Sequence, residues 1–290
     1  MIYSHRLWAL VGVCAAGAWL YADVIQKLVS DWAHDDNYSH GFLIPPLAGY
    51  FIWERRDSLA GAVLRPSVWG IGVVLGSLGV LVAGILGAEY FLSRVSLIGV
   101  MAGSVLFLAG WQHLRIVAFP LAFLLLMVPL PAIVFNQIAF PLQIFASRFG
   151  TEVLQVCAVP VLREGNVIVL ASTKLEVAEA CSGIRSLISL LTLGILFGYF
   201  TDRRLWVRTV IALSTIPIAI IANGIRVAGT GLAAHFYGPE TAEGFFHTFS
   251  GWLVFLVAFV MLFIVVQVVH RLAPPRAASD PRTASEEAVA

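Results

Sequence analysis

The chain has 290 residues, of which 59% are hydrophobic and 12% are charged, and its formal net charge is +1. Soluble domains carry about twice this charged fraction, and the apolar residues here form blocks long enough to cross a bilayer core about 30 Å thick. The composition therefore excludes a soluble protein and predicts a polytopic membrane protein, while the near-zero net charge gives no indication of nucleic-acid binding.

Eight apolar blocks predict an all-α fold with about eight transmembrane helices. The first block lacks a small-residue cleavage site, so we interpret it as a retained helix rather than a signal peptide. The second is short and has Pro45 and Pro46 near its start. We expect one integral-membrane domain over 1–272 and a disordered cytoplasmic tail over 273–290. The predicted spans are 7–27, 40–53, 67–87, 91–110, 114–135, 184–200, 206–234 and 247–269.

The cations indicate the orientation of these spans. Eleven of the 18 Lys and Arg residues fall on one side of the predicted membrane. Because short cytoplasmic connections are rich in Lys and Arg, this bias predicts that both termini are cytoplasmic and that the acidic loops face outward. The eleven are Arg6, Arg55, Arg56, Arg65, Arg115, Arg203, Arg204, Arg208, Arg271, Arg276 and Arg282.

Two further segments lie between spans five and six. Over 136–159 apolar residues recur every three or four positions, which predicts an amphipathic helix in the outer membrane interface. The β-rich runs VIVL (167–170) and KLEV (174–177) surround a small polar turn, which predicts an extracytoplasmic β-hairpin. This hairpin leads the chain directly to Cys181.

The remaining polar residues of interest collect at the outer ends of the last three spans. Cys181 precedes span six, Arg226 lies towards the outer end of span seven, and His247 begins span eight. A thiol at a helix N-terminus has a lowered pKa, a histidine exchanges protons near neutral pH, and an arginine can stabilise an oxyanion. Together the three residues predict a site for cysteine acyl transfer.

Each of these residues also has a plainer interpretation. A cysteine among apolar residues is usually a small buried filler, which is how we interpret Cys14 and Cys157. Arg226 could extend its guanidinium to lipid headgroups, and His247 could be an interfacial residue with one hydrogen bond. The sequence has neither paired cysteines nor metal-ligand spacing nor a phosphate-binding glycine loop, so no metal or cofactor is predicted.

The segments EACSGIRSL, NGIRV and HTFSGW, in this order, resemble the exosortase/archaeosortase family of membrane cysteine transpeptidases. The resemblance extends over about residues 30 to 270 and assigns the catalytic cysteine to Cys181, the arginine to Arg226 and the last polar residue to His247. Archaeal relatives tend to have a second arginine at this last position, so His247 is typical of the bacterial exosortases. Supporting residues that we expect near this site are Glu179, Ser182, Arg185, Asn223 and Thr248.

The resemblance implies a protein-sorting enzyme of the bacterial inner membrane with its active site on the periplasmic side. Its substrates would be secreted proteins that end in a Pro-Glu-Pro-like (PEP-CTERM) motif, a transmembrane helix and a basic tail. The enzyme would remove this tail through an acyl-enzyme on Cys181 and pass the protein to an unknown acceptor nucleophile. Family members often accompany exopolysaccharide loci.

Two alternatives remain open at the level of the sequence. An intramembrane cysteine protease that only hydrolyses its substrate would use the same residues. A transporter with an outer-face anion site near Arg226 and Glu179 would have polar residues deep in several spans, whereas the mid-span positions here are almost wholly apolar.

Overall fold

The structure of the protein, a computed structural model, describes residues 12, 15–171, 173–177, 183–238 and 244–274; for 244–248 and 250 it describes the backbone alone. The described chain is mostly helical and divides into two compact units, 1–137 and 138–290. The predicted tail over 273–290 lies outside the described residues from 275 onward.

In its described part, the first unit contains two longer helices and several short ones. The longer helices pack tightly: a Cβ atom at Gly103 would lie 2.8 Å from Cγ2 of Val74, and one at Gly99 would lie 3.1 Å from Cβ of Ser77. Small residues at such positions let apolar helices approach closely in a membrane. The elements are α1 (Ala22–His34), a 3₁₀ helix (Asp36–Leu43), α2 (Ile44–Glu54), α3 (Arg56–Gly61), α4 (Trp69–Leu86), α5 (Tyr90–Leu108), α6 (Trp111–Phe123) and a second 3₁₀ helix (Leu124–Met127).

An ion pair links α1 to α5. Arg94, one turn into α5, has a side chain only 3% exposed and is paired with Asp31 of α1, which also contacts Nζ of Lys27 at 2.9 Å. A buried guanidinium needs such a partner because desolvating an unpaired charge is costly. Arg94 is thus an exception to the apolar interior that the sequence suggests for the spans.

In the second unit, a three-stranded sheet is followed by three long helices. α7 (Ala132–Val156) leads into it. Residues of the three long helices share one core, which includes Leu190, Ile211, Ala219 and Leu262. The elements after α7 are β1 (Val161–Glu164), β2 (Val167–Leu170), β3 (Lys174–Glu176), α8 (Ile184–Thr201), α9 (Leu205–Tyr237) and α10 (Gly244–Leu272).

Within the described residues, five helices are long and apolar enough to span a membrane. They lie at Trp69–Leu86, Tyr90–Leu108, Ile184–Thr201, Leu205–Tyr237 and Gly251–Leu272, which confirms spans three, four, six, seven and eight as helices of this type. The start of predicted span one lies outside the described residues. The full number of eight spans stays a prediction.

Predicted spans two and five differ from the structure. The segment 40–53 is part of a 3₁₀ helix followed by α2, whose 11 residues reach only about 16 Å and cannot cross a 30 Å core. The segment 114–135 is not one straight helix: the chain breaks after Met127 and resumes at Ala132, with a bend of 75°. Pro129 and Pro131 in this break explain it, because proline lacks the N–H that continues a helix. If the bent pair forms one span, the total is six.

The predicted amphipathic helix and hairpin are present, with altered bounds. α7 starts at Ala132, four residues before the predicted start, and ends at Val156. β2 and β3 pair antiparallel with Ile168 opposite Leu175, as the hairpin prediction requires, but the sheet has a third strand. The missed strand is β1, which pairs with β2 through the two-residue turn at Gly165 and Asn166. Its sequence VLRE is short and half charged, so it carries little strand signal.

A polar cluster joins the ends of the three long helices opposite the predicted site. Between α8 and α9, Asp202 binds Arg204 through Nη2–Oδ2 at 2.6 Å and Nε–Oδ1 at 3.0 Å. Arg204 also donates to the carbonyl oxygen of Ala273, just after α10. The hydrogen bonds from Arg204 lower the pKa of Asp202 from 3.8 to about 2.

We expect Asp202→Asn to lower the free energy of unfolding by about 1–3 kcal/mol, because a charge-assisted pair at a buried carboxylate is lost. The pKa of Asp202 is lower in the folded than in the unfolded state, so this contribution is present above about pH 4 and is lost as the pH falls towards 2. The difference between wild type and variant in thermal unfolding should therefore shrink in acid. Asp57→Asn is the control, because that carboxylate is 90% exposed and 3.9 Å from Arg56; equal effects of the two substitutions would contradict the prediction.

Candidate active site

The start of α8 lies directly against α9. Gly183, which caps α8, is buried and has a φ of +80°, a conformation that L side chains adopt only at a cost. A Cβ atom at this position would lie 2.8 Å from Cγ of Asn223, whose side chain is 3% exposed. Glycine is therefore needed twice here, for its backbone conformation and for its lack of a side chain. The consequence is that the residue two positions after Cys181 contacts Asn223.

Two more glycines of α8 continue the same contact. A Cβ atom at Gly194 would lie 3.4 Å from Cα of Ala212, and one at Gly198 would lie 3.0 Å from Cα of Arg208. Later residues of α8 contact earlier residues of α9, so the two helices form a close antiparallel pair. This register puts Asn223 level with the first residue of α8.

α9 is much longer than α8, which shows where Asn223 lies along the pair. α8 has 18 residues and is about 27 Å long, which matches a bilayer core, whereas the 33 residues of α9 reach about 50 Å. α9 therefore continues for about 20 Å beyond the start of α8. Asn223 and Arg226 are one turn apart at the beginning of this extension. Polar side chains at such a position lie at the end of a span rather than in its middle.

Arg226 approaches the third long helix. Its side chain is half-buried, and a Cβ atom at Gly251 of α10 would lie 3.5 Å from Nη2 and 3.6 Å from Cζ of Arg226. Gly251 thus provides a surface without a side chain for the guanidinium. Position 247 is four residues earlier, one turn back along the same helix. α9 accordingly carries two polar residues that contact the beginning of α8 and the first turns of α10.

The chain before Cys181 is fixed by the sheet. Val177 is 2% exposed and donates its N–H to the carbonyl oxygen of Asn166 at 2.9 Å, while Nδ2 of Asn166 donates to the carbonyl oxygen of Val177 at 3.3 Å. In the same turn the carbonyl oxygen of Gly165 accepts a hydrogen bond from Ser147 of α7 at 2.9 Å. The residues on both sides of 178–182 are therefore held in place, Val177 by the sheet and Gly183 by α9.

α7 forms the wall behind this region. A Cβ atom at Gly150 would lie 2.8 Å from Cγ1 of Val227, and one at Gly224 would lie 2.6 Å from Cδ1 of Phe149. Leu154 of α7 is fully buried, and a Cβ atom at Gly231 of α9 would lie 2.8 Å from its Cδ1. α7 therefore packs one face against the extension of α9 instead of only resting on a membrane surface, and the sheet packs with it in a shared apolar core.

The predicted site residues have different outcomes. Cys181, Glu179 and Ser182 lie outside the described residues. His247 and Thr248 lie in the first turns of α10, and their side chains also lie outside the described part. Arg185 is exposed in the first turn of α8, Asn223 is buried and Arg226 is half-buried. Asn223 and Arg226 lie one turn apart on α9, and the roles of all these residues in a site stay predictions.

Sequence reasoning missed the residues that make these contacts possible. Gly183 and Gly251 stand inside the CSGIR and FSGW segments, but nothing in a linear pattern indicates which helix each glycine faces. Asn166 follows a turn glycine, and nothing in the linear sequence indicates that its side chain binds the backbone of Val177. No group of three or more His, Cys, Asp or Glu side chains suited to a metal ion occurs among the described residues.

Comparison with known proteins identifies a relationship over most of the chain. The family model described as transmembrane exosortase (Exosortase_EpsH) matches residues 32–264. No curated protein and no solved structure matches the chain. The matched region starts in α1 and ends within α10, so it includes the contacts of Gly183, Asn223, Arg226 and Gly251.

We expect Gly183→Ala to lower the free energy of unfolding by about 2–4 kcal/mol. The alanine would be strained by the positive φ, and its methyl group would overlap Asn223. Gly165→Ala is the matched control: Gly165 has a φ of +65°, yet a Cβ atom there would have open space. It should lose only the conformational part, about 1–2 kcal/mol. Thermal unfolding in detergent measures both. Equal losses for the two variants would mean that the contact with Asn223 adds nothing.

Proposed function

This chain belongs to the transmembrane exosortase family, and we propose that it is a cysteine transpeptidase that sorts secreted proteins. It cleaves the C-terminal sorting signal of membrane-anchored substrates at the outer face of the bacterial inner membrane. Cys181 is the nucleophile, Arg226 stabilises the oxyanion and His247 transfers protons. The observation that carries the proposal is the contact of α9 with the starts of both α8 and α10, at Gly183 and Gly251.

Support for Cys181 comes from its distance along the chain. Two residues of extended chain span at most about 7 Å, so the Cα of Cys181 is within that distance of the Cα of Gly183. Gly183 contacts Asn223 and caps an 18-residue helix. Helix N-termini generally favour the thiolate form of a nearby cysteine, which is the form that the proposal requires of Cys181.

Support for Arg226 comes from its position and its permanent charge. It is one turn beyond Asn223, half-buried, and adjacent to the glycine surface of α10. An arginine that is fixed before the reaction stabilises a developing oxyanion without reorganising, and such a contribution is worth about 3–4 kcal/mol in acyl transfer. Replacing Arg226 by lysine would keep the charge but lose the two parallel N–H donors.

Support for His247 comes from the helix that carries it. It is one turn before Gly251, the residue that faces the guanidinium of Arg226. Imidazole is the side chain whose pKa is best suited to give and to accept a proton near neutral pH. Its role requires only that it reach the leaving amine and later the incoming nucleophile.

In the proposed reaction the thiolate of Cys181 attacks a carbonyl carbon just outside the transmembrane helix of the substrate, and the carbonyl π electrons move to the oxygen. As this oxyanion collapses, the C–N bond breaks, His247 protonates the leaving amine, and a thioester remains on Cys181. An acceptor nucleophile then attacks the thioester, His247 takes its proton, and the thiolate leaves. An amine acceptor gives transpeptidation, whereas water gives hydrolysis.

The orientation of the second unit supports an outer site. Arg203, Arg204 and Arg208 lie at the end of α8 and α9 opposite to Gly183 and Asn223. Because arginines accumulate on the cytoplasmic side, this arrangement favours a periplasmic position for the site and cytoplasmic termini. The substrate helix would then lie in the bilayer, with its cleavage point level with the start of α8.

We expect Cys181→Ala to reduce cleavage of a co-expressed substrate with a C-terminal sorting signal by at least about 10³-fold, because no other group replaces the thiolate. Cys157→Ala is the control, since Cys157, which the sequence led us to expect as a buried filler, is an exposed cysteine of the same chain. Immunoblotting measures the accumulation of the uncleaved substrate. Mass spectrometry of the new C-terminus then separates transfer, which adds an acceptor, from hydrolysis, which leaves a free carboxylate. Normal cleavage by the Cys181→Ala variant would exclude the proposed nucleophile.

Two substitutions of different size at Gly251 test whether the position of the Arg226 guanidinium matters for cleavage. Gly251→Ala should be tolerated, because its Cβ would lie at an ordinary contact distance of 3.5 Å from Nη2. Gly251→Leu should displace the guanidinium and lower kcat by about tenfold or more, since misplacing an oxyanion donor removes part of its stabilisation. Gly229→Leu is the control for bulk on these helices, because the space at Gly229 is open. A wild-type cleavage rate for Gly251→Leu would contradict the assigned role of Arg226.

A further inference from the structure

A second candidate binding site lies in the first unit, where the loop before α4 meets the start of α6. Three hydrogen bonds of 3.2 Å hold this loop: Val63 N–H to Oε1 of Gln112, Arg65 N–H to the carbonyl oxygen of Ala109, and Ser67 N–H to the carbonyl oxygen of Leu106. At Gly110, whose φ is +92°, a Cβ atom would overlap the carbonyl oxygen of Arg65. The loop is therefore fixed against the helix ends.

The loop and α6 together line an open cleft of about 850 Å³. Its lining contains two guanidinium groups from different segments and, among the described residues, no carboxylate. No ion pair to Arg65 or Arg115 occurs within the described part of the chain, and both side chains are exposed. The lining residues are Arg65, Trp111, Gln112, Arg115 and Ile116.

The cleft lies where three helices begin or end. α4 begins at Trp69, α5 ends at Leu108 and α6 begins at Trp111, so each of these ends is close in sequence to a residue that lines the cleft. Trp69 and Trp111 are exposed there. Tryptophans concentrate at the level of lipid headgroups, where their rings meet apolar chains and their N–H groups meet water. This level is where a phospholipid presents its phosphate.

The side-chain chemistry of the cleft suits a phosphate diester. Two guanidinium groups can donate parallel hydrogen bonds to phosphate oxygens, and Ile116 offers apolar contact for the glycerol backbone or the start of an acyl chain. Basic pockets beside transmembrane helices are typical binding sites for anionic lipid headgroups. Because the loop is already ordered by backbone hydrogen bonds, little conformational entropy remains to be lost on binding.

We propose that this cleft binds the headgroup of an anionic phospholipid through Arg65 and Arg115. A net anionic lipid is favoured over a zwitterionic one, because the lining offers two cations and no anion for a choline or ethanolamine group. A free phosphate ion shares the same chemistry but lacks the apolar part that lies in the membrane.

The test uses the full chain purified in a neutral detergent and titrated with phosphatidylglycerol, phosphatidylcholine or inorganic phosphate, with bound species counted by native mass spectrometry. We expect one retained phosphatidylglycerol, bound about tenfold more tightly than phosphatidylcholine and not displaced by millimolar phosphate. Arg65→Gln and Arg115→Gln should each weaken this binding about fivefold, and the double variant about 25-fold. Arg203→Gln removes the same charge from an exposed arginine outside the cleft and should bind as the wild type does.

Circular dichroism and thermal unfolding check that each variant is folded. If the double variant does not fold, the Arg65→Lys/Arg115→Lys variant replaces it and should keep the preference for the anionic lipid while binding more weakly than wild type. Equal binding of the two lipids, or undiminished phosphatidylglycerol binding by a folded double Gln variant or by the Lys variant, would overturn the proposal. Full displacement by millimolar phosphate would assign the cleft to the free ion and overturn the lipid assignment.

Discussion

The close approach of α8 to α9 is the constraint from which the candidate site follows. Both helices are apolar, and in a bilayer the hydrophobic effect does not drive them together, so packing at small residues has to do so. Gly183, Gly194 and Gly198 supply this packing along α8. In the register that these glycines share, the start of α8 lies beside Asn223, and Arg226 follows one turn later on α9.

A guanidinium beside an apolar helix would normally be unfavourable, and the position of Arg226 reduces the cost. It lies where the long α9 leaves the level reached by α8, so it does not have to sit in the centre of the hydrocarbon core. A Cβ atom at Gly251 of α10 would lie 3.5 Å from Nη2 of Arg226, so the guanidinium is close to this helix. Arg94 of α5 is buried, and its partner is Asp31 of α1.

Local sequence signals predicted much of this architecture, but they could not predict contacts between residues that are distant in sequence. Spans three, four, six, seven and eight were predictable because each is a continuous apolar run of sufficient length. Hydropathy did not indicate the bend in predicted span five, because it averages over Pro129 and Pro131, whereas the backbone responds to each proline. β1 was missed because its pairing with β2 outweighs a weak propensity. Asn223 and Arg226 could be singled out as polar residues in a span, but their partners Gly183 and Gly251 are defined only by helix packing.

The short segment that carries Cys181 is joined at each end to a different structural support. Val177 belongs to the core formed by α7, the sheet and α9, and the turn that binds it is itself bound by Ser147 of α7. Gly183 belongs to the α8–α9 pair. Both supports share α9, so a shift of that helix would move Val177 and Gly183 together. For the proposed enzyme, whose substrate would share its membrane, both ends of the segment that carries the proposed nucleophile are thus attached to the helix that carries Arg226.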